Sequence, residues 1–174
     1  MQALFLWFYC LPLHQAAALV LCGMWFLLAL HRRLREKRLW RSLLAAGFCL
    51  VLVIVLCQTL LLRAPEERQE EILPLLASYR LLLDGGNPEI LRSNLMNVLL
   101  FAPLGLCGCL LWGKEVRLRQ AAAVTAALFL ISCGIEWAQL ETGRGICELD
   151  DILHNTLGAL LGSLYAWLYG KFQL

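Results

Sequence analysis

Long apolar runs dominate this chain and limit what it can fold into. Five such runs lie at about residues 4–30, 42–62, 95–112, 120–140 and 152–169. About 18 or more predominantly apolar residues are enough for a helix to cross the ~30 Å hydrocarbon core of a membrane. Because backbone groups in lipid have no water to bond, a spanning segment must be helical. The sequence therefore predicts an all-α integral membrane protein with about five transmembrane helices.

Composition supports the same class. Of the 174 residues, 60% are hydrophobic and 16% are charged, whereas soluble domains are roughly 45–50% apolar and about 25% charged. Seven of the eight cysteines lie in or beside the apolar runs, and only Cys147 falls in a predicted loop. Their spacing matches neither a disulfide framework nor a zinc site, so we predict no metal site and no cofactor. No basic stripe is present, so nucleic acid is not an expected partner.

The basic residues between the runs predict the orientation. The loop after the first run holds six of them and the loop after the third run holds three, while the second and fourth loops are balanced or acidic. Since basic loops stay in the cytoplasm, the N-terminus is predicted outside and the C-terminus inside a multi-pass plasma-membrane protein. The first run has no basic residues ahead of it, so we interpret it as a retained span and not as a signal peptide.

The chain divides into three parts of a single domain. Residues 1–63 form two N-terminal spans with a basic cytoplasmic loop, 64–93 form an extracytoplasmic loop, and 94–174 form a core of three spans. Within the loop, 66–83 place apolar residues at helical spacing against Glu and Arg, which is typical of a helix lying on the membrane surface. A solvated connector is the alternative. The turn residues at 84–88 end this segment.

Polar side chains at helical spacing share one face in each of the last three predicted spans. The rows are Asn94, Asn97 and Phe101 in the third span, Ser132, Glu136 and Gln139 in the fourth, and Asp151, Asn155, Gly158 and Gly162 in the fifth. All three rows fall toward the predicted outer ends, so we expect them to converge on an outward polar pocket. The loop residues Arg144, Glu148 and Asp150 would lie at its mouth. Glu136 and Asp151 are the candidate catalytic residues.

Each of these residues also has a structural interpretation. A charge inside a membrane span costs about 2.5 to 3.5 kcal/mol on insertion scales, which favours a functional role for Glu136. Glu136 could instead pair with Arg144. Asp150 or Asp151 could cap the fifth span, and asparagines could bond neighbouring helices. The pattern Gly158-x-x-x-Gly162 allows close helix packing, which would hold the polar row of the fifth span in place.

Three motifs carry the polar rows in a fixed order. They run Asn94-x-x-Asn97-x-x-x-Phe101-x-Pro103-x-Gly105, then Glu136-x-x-Gln139 followed by Arg144 and Glu148, then Asp151-x-x-x-Asn155-Thr-x-Gly158. This order resembles the VanZ-like family over about residues 78–168, while the first two spans show no sign of it. The resemblance implies a small bacterial integral membrane protein. The family's namesake is linked to resistance to the glycopeptide teicoplanin.

Three functions remain open at this point. The first is a non-enzymatic envelope protein whose outward pocket binds, or modulates access to, a lipid-tailed antibiotic or a lipid-linked cell-wall precursor. The second is a membrane enzyme that modifies a lipid or lipid-linked head group with Glu136 and Asp151. The third is a structural or assembly protein whose polar rows pack helices. Membrane lipids are expected partners in all three. The candidate binding residues are Asn94, Asn97, Glu136, Gln139, Arg144, Glu148, Asp151 and Asn155.

Overall fold

The computed structural model describes residues 12–34, 38–61, 72–87, 89–112 and 116–172. Within them the helices are α1 (Leu13–Leu34), α2 (Arg38–Leu56), α3 (Ala77–Leu83), α4 (Glu89–Leu110), α5 (Leu118–Thr142) and α6 (Leu149–Lys171). A wider π-helical turn, Cys57–Leu61, continues α2. Two short strands, β1 (Ile72–Leu73) and β2 (Cys147–Glu148), pair in parallel. The prediction of an all-α protein is confirmed.

Four helical segments of the described residues are long and apolar enough to cross a membrane: α1, α2 with its π turn, α4 and α5. The predicted fifth span corresponds to α6, which is as long as the others but carries His154 and Asn155 within its apolar sequence. These polar residues lower its hydropathy, and α6 is not among the four. The number of membrane crossings and the orientation therefore stay predictions.

Helix α4 lies at the centre of the bundle. In its most apolar stretch 61% of residues are buried, against 33% in α5, 17% in α1 and 11% in α2. The outer helices leave large apolar side chains exposed, such as Leu21 on α1 and Leu50 on α2. Such a surface suits hydrocarbon and not water. The arrangement is a buried central helix surrounded by helices whose outer faces are apolar.

Glycines bring α4 and α6 into backbone contact. A Cβ atom built on Gly105, Gly158 or Gly162 would overlap a backbone carbonyl of the facing helix. Those carbonyls belong to Ala159, Val98 and Ala102, respectively. The Gly158-x-x-x-Gly162 pattern therefore does what its spacing predicts, because small residues let two helices approach closely. This packing fixes the start of α6, where Asp151 and Asn155 lie, against α4.

Two hydrogen bonds hold α1 in place at the basic end of the bundle. The indole Nε1–H of Trp40 donates to Nδ1 of His31 at 2.7 Å, in a buried contact that joins α1 to α2. The hydroxyl of Tyr169 donates to the backbone carbonyl of Leu28 at 2.9 Å, which joins α6 to α1. The bonds orient the last turn of α1, which carries Arg32 and Arg33.

The loop before α4 departs from the predicted helix over 66–83. Residues 62–71 lie outside the described residues, Ile72–Leu73 is a strand, and the helix begins only at Ala77. Pro74 disfavours helical backbone at the residue before it, and Leu76 adopts a left-handed φ of 67°. A continuous helix therefore cannot pass through 74–76. The short helix α3 exposes Leu81 and Leu83, and its location on the membrane surface stays a prediction.

Candidate functional site

A cavity of about 250 Å³ lies among α2, α4, α5 and α6, at the end of the bundle where α6 begins. We call it the polar cavity. Its polar lining residues are Gln58 and Thr59 of the π turn, Ser93 and Asn97 of α4, Glu136 of α5, and Asp151 and Asn155 of α6. Val55, Leu100 and Phe101 form its apolar wall. One member or more of each predicted polar row therefore reaches the same cavity.

Asp151 and Asn97 meet across the interface between α6 and α4. The amide Nδ2 of Asn97 donates to Oδ1 of Asp151 at 2.7 Å. Both side chains are half-buried. The glycine contacts between α4 and α6, about two turns further along α6, hold the two helices close together on the same side. The amide orients one carboxylate oxygen of Asp151 beside the cavity.

Glu136 is almost completely buried, at 2% exposure. Its Oε2 accepts the backbone N–H of Glu148 at 3.0 Å, so strand β2 is hydrogen-bonded to α5 through this carboxylate. The predicted binding residue Glu148 thus reaches the site through its backbone. Arg144 does not pair with Glu136 in the described part of the chain. Its Nη1 donates instead to the carbonyls of Leu60 and Leu61, at 2.6 and 3.3 Å.

Asn155 presents an acceptor that no group of the described residues uses. Its Nδ2 donates to Oγ of Ser132 at 2.9 Å, and the side chain is 4% exposed. Its Oδ1 is buried and has no hydrogen-bond partner in the part of the chain that the structure describes. Such a group costs about 1 to 3 kcal/mol when left unpaired, and a buried polar atom without a partner requires an explanation. Because Asn155 lines the polar cavity, a bound donor is one explanation.

Gln139 lies behind the cavity wall. Its Nε2 donates to the backbone carbonyl of Thr59 at 3.1 Å, within the π turn. Its Oε1 is buried and has no partner among the described residues. Gln139 and Arg144 therefore both donate to backbone carbonyls of the π turn. These two predicted binding residues therefore hold the segment that carries Gln58 and Thr59.

A second polar network lies beside the cavity and is centred on Asp150. The carboxylate accepts the backbone N–H of Leu76 at 2.5 Å and that of Ser78 at 2.8 Å, and it also accepts the Ser78 hydroxyl at 2.6 Å. Nδ2 of Asn94 donates to the same hydroxyl at 3.0 Å. Asp150 therefore holds the start of α3. It is not a free residue at the mouth of the pocket, and it does not cap its own helix. Asn94 belongs to this network and does not line the cavity.

The surroundings of Asp150 shift its proton affinity. Asp150 precedes the predicted fifth span, which begins at residue 152. Burial raises the pKa of this carboxyl, but hydrogen bonds from Ser78 and Leu76 and the nearby His154 lower it. The net pKa lies below the ordinary value of 3.8. The charged carboxylate is therefore the form that the fold stabilises.

The structure thus divides the eight predicted binding residues into three groups. Asn97, Glu136, Asp151 and Asn155 line the polar cavity. Glu148, Gln139 and Arg144 bond to its walls, and Asn94 joins the Asp150 network. The described residues contain no cluster of three or more histidine, cysteine and acidic side chains suited to a metal ion.

Sequence reasoning missed four residues of these networks: Gln58, Thr59, Ser78 and Ser93. Gln58 and Thr59 interrupt an otherwise apolar run, and this interruption was a usable signal. Ser78 is a single small polar residue whose partner is 72 positions away. No local pattern could have identified it.

The comparison with family models finds a match over most of the chain. The model described as VanZ/LLP1 matches residues 48–170. The match begins within α2, about 30 residues before the resemblance seen in the motifs, so it includes the second half of α2 and the whole π turn. Every residue that lines the polar cavity lies within the match. Neither a curated protein nor a solved structure matches the chain. Since the match covers more than half of the chain, the protein belongs to the VanZ/LLP1 family.

Proposed function

We propose that this protein is a plasma-membrane protein of the bacterial cell envelope. In this proposal it binds the polar head group of a lipid-linked or lipid-tailed molecule in the polar cavity. The observation that carries the proposal is the buried, unpartnered Oδ1 of Asn155 in a cavity that is also lined by the carboxylates of Glu136 and Asp151.

The lining chemistry favours a ligand rich in hydrogen-bond donors. Glu136 and Asp151 supply carboxylate oxygens, and Asn155 supplies an amide oxygen that no donor among the described residues occupies. Hydroxyl or amino groups, such as those of sugars and amino alcohols, would supply the missing donors. A donor to Asn155 would recover the desolvation cost of that buried oxygen.

The size of the cavity restricts the ligand further. Its volume of about 250 Å³ lies below the ~300 to 1,000 Å³ of sites that enclose drug-sized molecules. It therefore fits one polar head group and not a whole glycopeptide. Any role in teicoplanin resistance would then act through a lipid-linked cell-wall precursor or through one polar group of the drug.

The location of the cavity agrees with a ligand from the outer leaflet. The cavity lies where α2 ends and α4 and α6 begin, which is the end of the bundle opposite Arg32 and Arg33. The charge distribution of the loops predicts that this end faces outward.

The first experiment measures lipids that co-purify with the protein, by mass spectrometry at matched protein amounts. Glu136→Gln and Asp151→Asn test the cavity. Glu141→Gln is the control, because Glu141 is an exposed carboxylate on the same helix as Glu136. A hydrogen bond to a charged group is worth about 1.5 to 3 kcal/mol, so each cavity variant should retain the enriched species at least about tenfold less. Equal retention by all four proteins would overturn the proposal.

Drug susceptibility tests the possible resistance role separately. A sensitive host expresses the same four proteins at equal membrane abundance and is challenged with teicoplanin and with vancomycin. Protection against teicoplanin that persists in Glu141→Gln and is lost in both cavity variants would support a role of the cavity in resistance. Absence of protection by abundant wild type would separate this chain from the role of the family's namesake, whatever lipid it binds.

A second candidate function is a membrane enzyme that modifies a lipid-linked head group. The observation that favours it is that carboxylates from two helices, Glu136 and Asp151, line one cavity, as general acid–base chemistry requires. Two results together would establish this function. The head group is modified when wild type is present, and Glu136→Gln abolishes the modification although it still binds the lipid. Unchanged envelope lipids would favour binding alone. The third function, helix packing, predicts that the variants lose abundance in the membrane, and not that they specifically lose lipid binding or head-group modification.

A further inference from the structure

A second cavity of about 550 Å³ lies between α1 and α6, at the end of the bundle opposite the polar cavity. We call it the basic groove. Its lining includes Trp25, Arg32, Arg33, Tyr165 and Tyr169. We propose that the basic groove binds the head group of an anionic phospholipid. This inference does not depend on the function proposed for the polar cavity.

The groove combines an apolar wall with a charged end. Trp25, Leu28 and Arg32 follow one another at helical spacing along α1, so they line one continuous face. Trp25 is 65% exposed, and Arg32 is exposed one turn beyond Leu28. A phospholipid has the same order of groups, with acyl chains below a charged phosphate. Along α1 the groove therefore changes from apolar to charged, in the same order as the acyl chains and the phosphate of a phospholipid.

The arginines are available for an anion. Neither Arg32 nor Arg33 pairs with a carboxylate among the residues that the structure describes. The described residues at this end of the bundle also include Arg38, Arg41 and Lys171. A guanidinium group binds phosphate through two parallel hydrogen bonds. Basic pockets between helices on the cytoplasmic side are typical sites for anionic head groups, and the loop charges predict that this end is cytoplasmic.

The floor of the groove is held in place before any ligand binds. The hydroxyl of Tyr169 donates to the carbonyl of Leu28 at 2.9 Å, which fixes α6 against α1. Two residues further on, Nζ of Lys171 lies 5.4 Å from the ring centre of Trp167. Tyrosine and tryptophan are the residues that favour the membrane–water interface. A free phosphate ion would contact only the arginine end and would leave the aromatic wall unused, so we assign the groove to a lipid.

Thermal stability of the purified full-length protein tests this proposal. Phosphatidylglycerol, phosphatidylcholine or inorganic phosphate is added to wild type, to Arg32→Gln/Arg33→Gln and to Arg38→Gln/Arg41→Gln. The second double variant is the matched control, because it removes two exposed arginines from the neighbouring helix, outside the groove. We expect phosphatidylglycerol alone to raise the melting temperature of wild type and control by about 3 °C or more, as for a ligand well above its Kd. The Arg32/Arg33 variant should lose most of this shift.

Three results would overturn the proposal. They are an equal shift in both double variants, an equal shift with phosphatidylcholine, or a shift that inorganic phosphate reproduces. A second experiment uses wild type alone, so it does not depend on how the variants fold. Phosphatidylglycerol and phosphatidylcholine compete for the protein, and native mass spectrometry measures which lipid it retains. Phosphatidylglycerol should be retained at least about tenfold over phosphatidylcholine, and equal retention would also overturn the proposal.

Discussion

At the scale of single residues, Asp150 joins two segments that are distant in the sequence. Its carboxylate is 2% exposed and accepts three hydrogen bonds from Leu76 and Ser78, at the start of α3. These donors would otherwise be unpaired at a helix N-terminus. The carboxylate thus replaces the side-chain cap that Leu76, the residue before α3, cannot provide.

We predict that Asp150→Asn lowers the stability of the protein. The amide keeps the size of the carboxylate but turns an NH₂ group toward donors of α3, which leaves at least one of them unpaired at a cost of about 1 to 3 kcal/mol. This corresponds to a melting temperature lower by about 2 to 12 °C for a chain of this size. Thermal unfolding in detergent measures it. Asp84→Asn, at an exposed aspartate of the same loop, should melt like wild type. An unchanged Asp150→Asn would contradict the anchoring role.

The Asp150 carboxylate also predicts how the stability of the protein depends on pH. Its pKa in the folded protein lies below the ordinary value of 3.8, so its contribution to stability is complete above that value. The contribution is lost as the pH falls through the folded pKa, because the protonated form no longer accepts all three bonds. The difference in melting temperature between wild type and Asp150→Asn should therefore be constant near neutral pH and should narrow below about pH 4. A difference that stays constant down to acid pH would show that the charge is unimportant.

At the scale of helices, the glycine contacts between α4 and α6 are the tightest packing described. We predict that Gly158→Ala and Gly162→Ala each separate the two helices and lower membrane abundance and melting temperature. Overpacking of this kind costs about 1 to 3 kcal/mol or more. Gly134→Ala is the matched control, because Gly134 lies within α5 and no atom stands within 4 Å of a Cβ built there. If all three variants melted alike, the close packing would not be essential.

Hydropathy predicted the helices well but their ends poorly. The third apolar run was predicted at 95–112, whereas α4 covers Glu89–Leu110. Its first turns carry Glu89 and Arg92, which remain helical while their charges reach solvent. Hydropathy records the part of a helix that suits lipid, and not its whole length. The pair β1–β2 was not predicted, because strands of two residues are too short for any alternation to appear.

The predicted helix at 66–83 is interrupted at 72–76 for a local reason that the sequence contains. Pro74 interrupts the segment, and the residue before a proline avoids helical backbone. The apolar periodicity on either side of Pro74 led to one long helix being predicted. The described residues instead place β1 before the proline and α3 after it.

At the scale of the whole molecule, orientation is the main open prediction. The basic loops predict that residues near Asn87 lie outside the cell and that residues near Trp112 lie inside. Alkaline phosphatase, which is active only outside, should be active when fused after Asn87 and inactive when fused after Trp112. The opposite result would place the polar cavity in the cytoplasm, and it would then contradict binding of an outer-leaflet ligand.

The convergence of polar residues was predictable only in part. Helical spacing places Asn97, Glu136 and Asp151 on single faces, and the alternation of spans places all three at the same end of the bundle. Spacing within a helix does not give its rotation about its own axis. It therefore could not show that Asn94 turns toward α3, or that Gln139 and Arg144 bond to the π turn and do not line the cavity.

The π turn at Cys57–Leu61 has a consequence for how this chain can change over generations. Each residue of an α-helix advances the rotation by about 100°, so loss of one residue here would rotate everything that follows on the helix. Gln58 and Thr59 would leave the polar cavity, and the carbonyls that accept from Gln139 and Arg144 would point elsewhere. Insertions and deletions, which surface loops usually tolerate, should therefore be rare heritable changes at this segment. In descendants of this chain its length should persist even where its side chains are replaced.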